Sequence, residues 1–186
     1  VTLDVRLARI RGRSCCSVST NDHFDLPYEA LLRTAEPQNW SAILPRRFVD
    51  MVPRGLDDYG WTCVVEHGQF GPLSHRTPLK FWKEPVNGDL THGYRIDYDL
   101  DSTCAPGDCD HFVTRDNGFI RVVPEGDGVS VRTVKMWHIA GTWSWLASLM
   151  VPMMGWEDIT SEFFRNAAVL TGPVVPFELS GTRCLE

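Results

Sequence analysis

His138 ends a run of large, mostly apolar residues, Val129 to Ile139, and is the side chain best suited to exchange a proton near neutral pH. Tyr94 and Tyr98 lie four apart in an alternating stretch and could donate hydrogen bonds. These three residues are the catalytic candidates. Arg95, Arg121 and Lys135 could orient an anionic or enolate oxygen, and Asp97 or Asp99 could orient a base. Strand alternation limits this set. It puts Tyr94 and Tyr98 on one face and Arg95, Asp97 and Asp99 on the other, with the aromatic side expected to be interior. A solvated or purely structural role competes for every one of these residues. His92 and His111 both border loops and are weaker candidates.

A second group of residues suits an apolar or aromatic small molecule. Trp143, Leu146, Leu149, Met150, Met153 and Trp156 recur through one late segment and would make a wide, adaptable wall. Trp61, Phe119 and Trp137 could face it from strands, with Arg121 as a polar contact. The rival reading is a solid core. The seven tryptophans exceed what a core of Leu and Val requires.

Stronger signatures are missing. The chain has no Gly-x-Gly-x-x-Gly, no phosphate-loop motif, no His-Glu-x-x-His and no Gly-x-Ser-x-Gly elbow. No cofactor is expected. Cys104, Cys109 and His111 lack a convincing fourth ligand, so no metal is expected either. Cys104 and Cys109 flank a short loop and could pair or remain free thiols. Cys15 and Cys16 point to opposite faces of a strand and should not pair with each other.

Eighteen basic residues against 24 acidic ones give a net charge of −6. That balance disfavours a nucleic-acid partner and docking on an anionic membrane. Arg6, Arg9, Arg11 and Arg13 form a basic run without interleaved aromatics, which reads as a solvated strand or tail. No uncharged apolar window reaches about 18 residues, so stable membrane insertion is not expected. No secretory signal opens the sequence, and a cytoplasmic location is the expectation. The missing initiator Met suggests a start inside a longer chain, and Leu185-Glu186 looks like an expression scar.

The elements that must hold these residues follow from periodicity. Val1 to Arg9 is a weak strand or arm, and Ser14 to Ser19 a better strand. A helix is expected from Asp25, as cap, to about Pro37, and a second from Trp40 to Met51 interrupted by Pro45. Strands are expected over Gly60 to Glu66, Leu79 to Lys83 and Leu90 to Leu100, the last after a tight turn at Asn87-Gly88-Asp89. Gly68 to Pro78 reads as loop. Phe112 to Arg115, Gly118 to Pro124 and Val129 to Ile139 complete the strands. From Thr142 to Leu170 the period is helical, with Pro152 kinking or dividing the helix.

This order resembles the helix-grip superfamily, which includes START domains, Bet v 1-like proteins and polyketide cyclase-like proteins (SRPBCC). The resemblance rests on Asp116-Asn-Gly-Phe-Ile-Arg-Val-Val-Pro-Glu-Gly-Asp-Gly128, the strand ending at His138-Ile-Ala-Gly141 and the long terminal helix. Pro27-Tyr-Glu-Ala-Leu-Leu and Trp40-Ser-Ala-Ile-Leu-Pro45 look like its early helices. It covers about residues 14–170. It implies an α+β helix-grip fold: a curved antiparallel sheet wrapped around a long C-terminal helix, with two short helices after the first strand. One domain is expected across 1–186, with terminal arms at 1–13 and 171–186. The resemblance further implies an internal cavity for a lipid-like, polyketide-like or aromatic ligand. A polyketide cyclase, aromatase or dehydratase (a lyase or isomerase) using the same cavity is the first alternative. A non-catalytic interaction domain, including a homodimer through the helix surface, is the second.

Overall fold

Residues alternate between buried and open along Tyr94–Leu100, and the same alternation runs along Cys15–Phe24. The computed structural model describes residues 2–10, 13–36, 39–45, 48–57, 60–67, 75–100, 113–139 and 156–170. Among them are strands β1 (Thr2–Ile10), β2 (Arg13–Phe24), β3 (Phe48–Asp57), β4 (Gly60–His67), β5 (His75–Pro85), β6 (Tyr94–Leu100), β7 (Val113–Glu125) and β8 (Gly128–Ile139). All join one antiparallel sheet in the order β1-β2-β8-β7-β6-β5-β4-β3. The sheet curves partly around helix α3 (Trp156–Val169). Two short helices, α1 (Tyr28–Leu31) and α2 (Trp40–Ile43), follow β2, with a tight 3-10 turn at Leu32–Ala35 between them. This is the α+β arrangement that the resemblance implies. Because the N-terminal arm is itself a strand, the helices come after the second strand.

The sequence expectation fails locally where prolines and bulges override periodicity. The helix expected from Trp40 to Met51 ends at Ile43, and Phe48 to Asp57 is strand. Pro45 cannot continue the helix ladder, and the register shifts between Phe48 and Asp50 and between Pro53 and Gly55 accommodate a broken pattern. Leu90 to His92 forms a 3-10 turn, so β6 starts at Tyr94. Asn87 and Gly88 hold left-handed φ values of 55° and 77°, which this expected turn requires. The two short strands expected within Phe112 to Pro124 are one strand, β7, with a register shift between Val113 and Arg115. The Pro152 kink and the Cys104–Cys109 loop lie outside the described residues.

The core sits between the sheet and α3. Phe163, Phe164 and Ala167 are buried on one side of the helix, while Asp158, Glu162 and Arg165 are more open. Neighbouring ring centroids link Phe24 to Phe164 (5.4 Å), Phe164 to Phe163 (5.1 Å), Phe163 to Trp40 (5.9 Å), Trp40 to Phe81 (5.5 Å) and Phe81 to Tyr98 (5.9 Å). This aromatic path crosses from β2 over the helix to the middle of the sheet. Trp40 Nε1 donates to the Thr34 carbonyl at 3.0 Å, and Asn166 Nδ2 donates to the Ile43 carbonyl at 3.1 Å. Those bonds satisfy polar groups where the helices meet.

Candidate functional site

Register builds the site. Residues paired across antiparallel strands share a face, so one row crosses the sheet as Phe81, Tyr98, Gly118, Lys135 and Val18. The adjoining row carries Asp116, Trp137 and Cys16. Buried Phe81, Tyr98, Val18 and Cys16 identify this as the concave, core-facing side. The row runs from the closed aromatic core into a more polar region on β7, β8 and β2.

Lys135 is the centre of that region. Its Nζ lies 3.2 Å from Asp116 Oδ2, 4.6 Å from the Trp137 ring and 5.8 Å from the Tyr98 ring. The Asp116 side chain is fully buried, whereas the Lys135 side chain keeps 21% of its surface exposed. A partly exposed cation therefore balances a buried carboxylate, with an aromatic plate beside it. Gly118 makes the approach feasible. A Cβ there would lie 2.7 Å from the Tyr98 hydroxyl and collide with the Val134 carbonyl. The Thr20 and Thr133 hydroxyls pair at 2.7 Å one position further along the face. Such a site can receive an apolar ring and donate charge-assisted hydrogen bonds to an oxygen on it.

Burial shapes the proton affinities. Tyr98 is pushed well up, first by desolvation and then by the negative charge of Asp116. Tyr94 is raised by complete burial. Burial pushes the Cys16 thiol up to about 11 and the Tyr28 phenol, with help from Glu29 and Asp89, up to about 12. Each of these groups is held in its neutral form in the fold. Between pH 9 and 11 the unfolded chain releases protons that the folded chain keeps, so stability falls as pH rises. In an alkaline titration, the phenolate absorbance of Tyr28, Tyr94 and Tyr98 should appear with loss of the folded circular dichroism signal. Phenolate growth from all three well before unfolding would refute this.

The structure divides the expected residues. Tyr98 and Trp137 reach the concave site. Tyr94 shares their face, but its hydroxyl donates to the Leu31 carbonyl at 2.9 Å and contacts the Thr34 hydroxyl. It ties the sheet to α1. His138 pairs in register with Cys15 and Arg115, on the face opposite Trp137. Phe119 and Arg121 also belong to that convex face. Phe119 lies 4.3 Å beneath the Arg95 guanidinium, and Arg121 is exposed. The period of two thus places His138, Phe119 and Arg121 on the face opposite Trp137 and Lys135. Trp61 holds the register position opposite Phe81, and Trp156 begins α3. Trp143, Leu146, Leu149, Met150 and Met153 lie outside the described residues. Sequence reasoning misses Asp116 because a single Asp inside an alternating strand looks like a solvated residue. Its two-residue spacing from Gly118, Ile120 and Val122 is the available signal.

Among the described residues, no cluster of His, Cys, Asp and Glu could hold a metal ion, and no helix is long and apolar enough to cross a membrane.

No protein-family model matches the sequence, and no curated protein is similar to it. Solved structures are similar. TTHA0849 from Thermus thermophilus has 12% identity and a TM-score of 0.60, over 81% of this chain and 96% of that one. A STAR-related lipid transfer protein fragment from Xanthomonas axonopodis has 14% identity and a TM-score of 0.59, over 87% and 98%. The di-domain ARO/CYC BexL of the BE-7585A biosynthetic pathway has 12% identity and a TM-score of 0.55. That match covers 83% of this chain and 49% of BexL, so the chain spans about half its length.

Proposed function

Since the chain has the helix-grip fold, we propose that it binds an apolar or aromatic small molecule between the concave face of the sheet and the C-terminal helix. The observation that carries this reading is the Lys135–Asp116 pair beside Trp137 and Tyr98, at the end of the aromatic path. A buried carboxylate with a partly covered cation in front of it contributes little to a plain core. It does give an apolar ligand a polar end to dock against. One structural neighbour is a lipid transfer protein and another an ARO/CYC protein, which agrees with a lipid-like or polyketide-like occupant.

A second reading, cyclisation or dehydration of a polyketide-like substrate, draws on one feature. The Tyr98 hydroxyl lies over Gly118, in the row that holds Lys135. In that version Lys135 polarises a carbonyl oxygen and Tyr98 holds the proton. His138 takes no part from the convex face.

Native mass spectrometry of the purified protein, followed by solvent extraction, tests the binding reading. The expected result is a bound apolar compound, removed by extraction, that competes with a hydrophobic fluorescent probe. No adduct together with no probe binding would refute it.

A further inference from the structure

The convex face of the sheet carries an arrangement that the concave site does not use. Arg95 of β6, Arg121 of β7 and Arg132 of β8 stand directly opposite one another across three strands. The row continues through Asn21 of β2 to Thr2 of β1. Like charges placed directly opposite each other in a sheet repel and weaken the pairing. Three cations abreast are more notable still in a chain of net charge −6.

Arg95 is accounted for. Its Nε and one terminal nitrogen each donate to Asp97 at 2.7 Å, and its guanidinium stacks on Phe119 at 4.3 Å. Arg132 flanks the same ring at 5.8 Å. Among the described residues, no carboxylate forms an ion pair with Arg121 or Arg132. Both border a groove of about 440 Å³, whose other lining includes Ser19, Asn21, Ser130 and Val123. Asp4 is the acidic residue of the lining, and its carboxylate is held by Arg6 at 2.8 Å.

We propose that this groove binds a tetrahedral oxyanion, a phosphate group, between Arg121 and Arg132. Two guanidinium forks supply directed charge-assisted donors, and the hydroxyls of Ser19 and Ser130 and the amide of Asn21 supply neutral ones. The anion would screen the repulsion across the row. The groove has the size of a small-molecule site and suits a single phosphate group better than a polymer. The phosphate can come from a free phosphorylated compound or from a phospholipid headgroup at a bilayer surface. Both present the same oxygens.

The test uses the full chain and inorganic phosphate, followed through the arginine side-chain signals in a nitrogen-edited NMR titration. Saturable shifts at Arg121 and Arg132 are expected. The Arg121→Gln/Arg132→Gln variant should bind at least about tenfold more weakly, the scale of losing charged hydrogen bonds. Arg115→Gln, which removes an exposed cation elsewhere on β7, should bind as the parent does. In a parallel arm, the chain is floated with phosphatidylcholine vesicles containing phosphatidic acid. Arginine-dependent flotation that free phosphate suppresses assigns the groove to a headgroup. Phosphate binding without flotation assigns it to a soluble phosphate compound. Unsaturable shifts, unchanged affinity in the double variant, or an equal loss in Arg115→Gln would each overturn the proposal.

Discussion

Replacing Lys83 with methionine should lower the unfolding free energy by about 3–5 kcal/mol, the cost of breaking a buried ion pair by removing one member. For a domain of this size that corresponds to a fall in melting temperature of roughly 6–20 °C. Lys83 Nζ bonds both carboxylate oxygens of Glu36, at 2.7 and 2.8 Å, and the two side chains are only 3% and 2% exposed. Glu36 follows the 3-10 turn after α1, and Lys83 lies in β5 opposite Ile96. The pair therefore bolts the helical segment to the sheet from inside. Without Lys83 the buried carboxylate loses both of these bonds. The double variant Glu36→Leu/Lys83→Met removes both charges and should return within about 1 kcal/mol of the parent, because an apolar pair of similar volume needs no compensation. Urea denaturation reads both, with the midpoint moving and the slope held. A single variant that loses less than about 1 kcal/mol would show that the pair has little bearing on stability.

Lys135→Met should weaken binding of anilinonaphthalene sulfonate, an aromatic anion, by about tenfold or more, on the scale of a lost charge-assisted hydrogen bond. Binding of N-phenylnaphthylamine, which has the same rings and no sulfonate, should stay within about twofold, because Lys135 contributes its cation and not most of the apolar surface. Fluorescence titration measures both. The substitution also removes the cation 3.2 Å from the fully buried Asp116, so stability falls with affinity. Adding Asp116→Asn separates the effects. Stability recovers in the double variant, while the sulfonate preference does not. Equal losses for the two probes would show that Lys135 matters only to folding.

The sheet is legible in the sequence because it follows the period of two. Tyr94, Ile96 and Tyr98 announce their face, and the hairpin around Gly126 is plain from Glu125 and Gly128. The same rule separates Trp137 from His138, against the chemical appeal of an imidazole beside a cavity. Long-range partners are not legible. Glu36 and Lys83 are 47 positions apart, and nothing local marks either as buried. Asp116 meets Lys135 only because β7 and β8 pair in one register. Periodicity reports which side a residue takes. It does not report which distant residue waits there. The Phe48–Asp57 segment misleads for a related reason: Phe48, Met51 and Val52 fit a helical spacing, and a strand pairing with β4 overrides it.

The sheet order has a consequence for how the chain is made. β2 lies between β1 and β8, and its Thr20 bonds a threonine 113 residues later. On a ribosome adding ~5–20 residues per second, that partner arrives roughly 6–23 s after Thr20 itself. During this interval the N-terminal hairpin has one edge of β2 open, and its Val18 and Phe24 lack the strand that pairs with them. The β6-β7-β8 meander closes from neighbours in sequence, so it can form first and receive the hairpin afterwards. The nascent protein thus passes through a stage with a hydrophobic hairpin awaiting its seat, which is the period when holding chaperones would matter most to its yield.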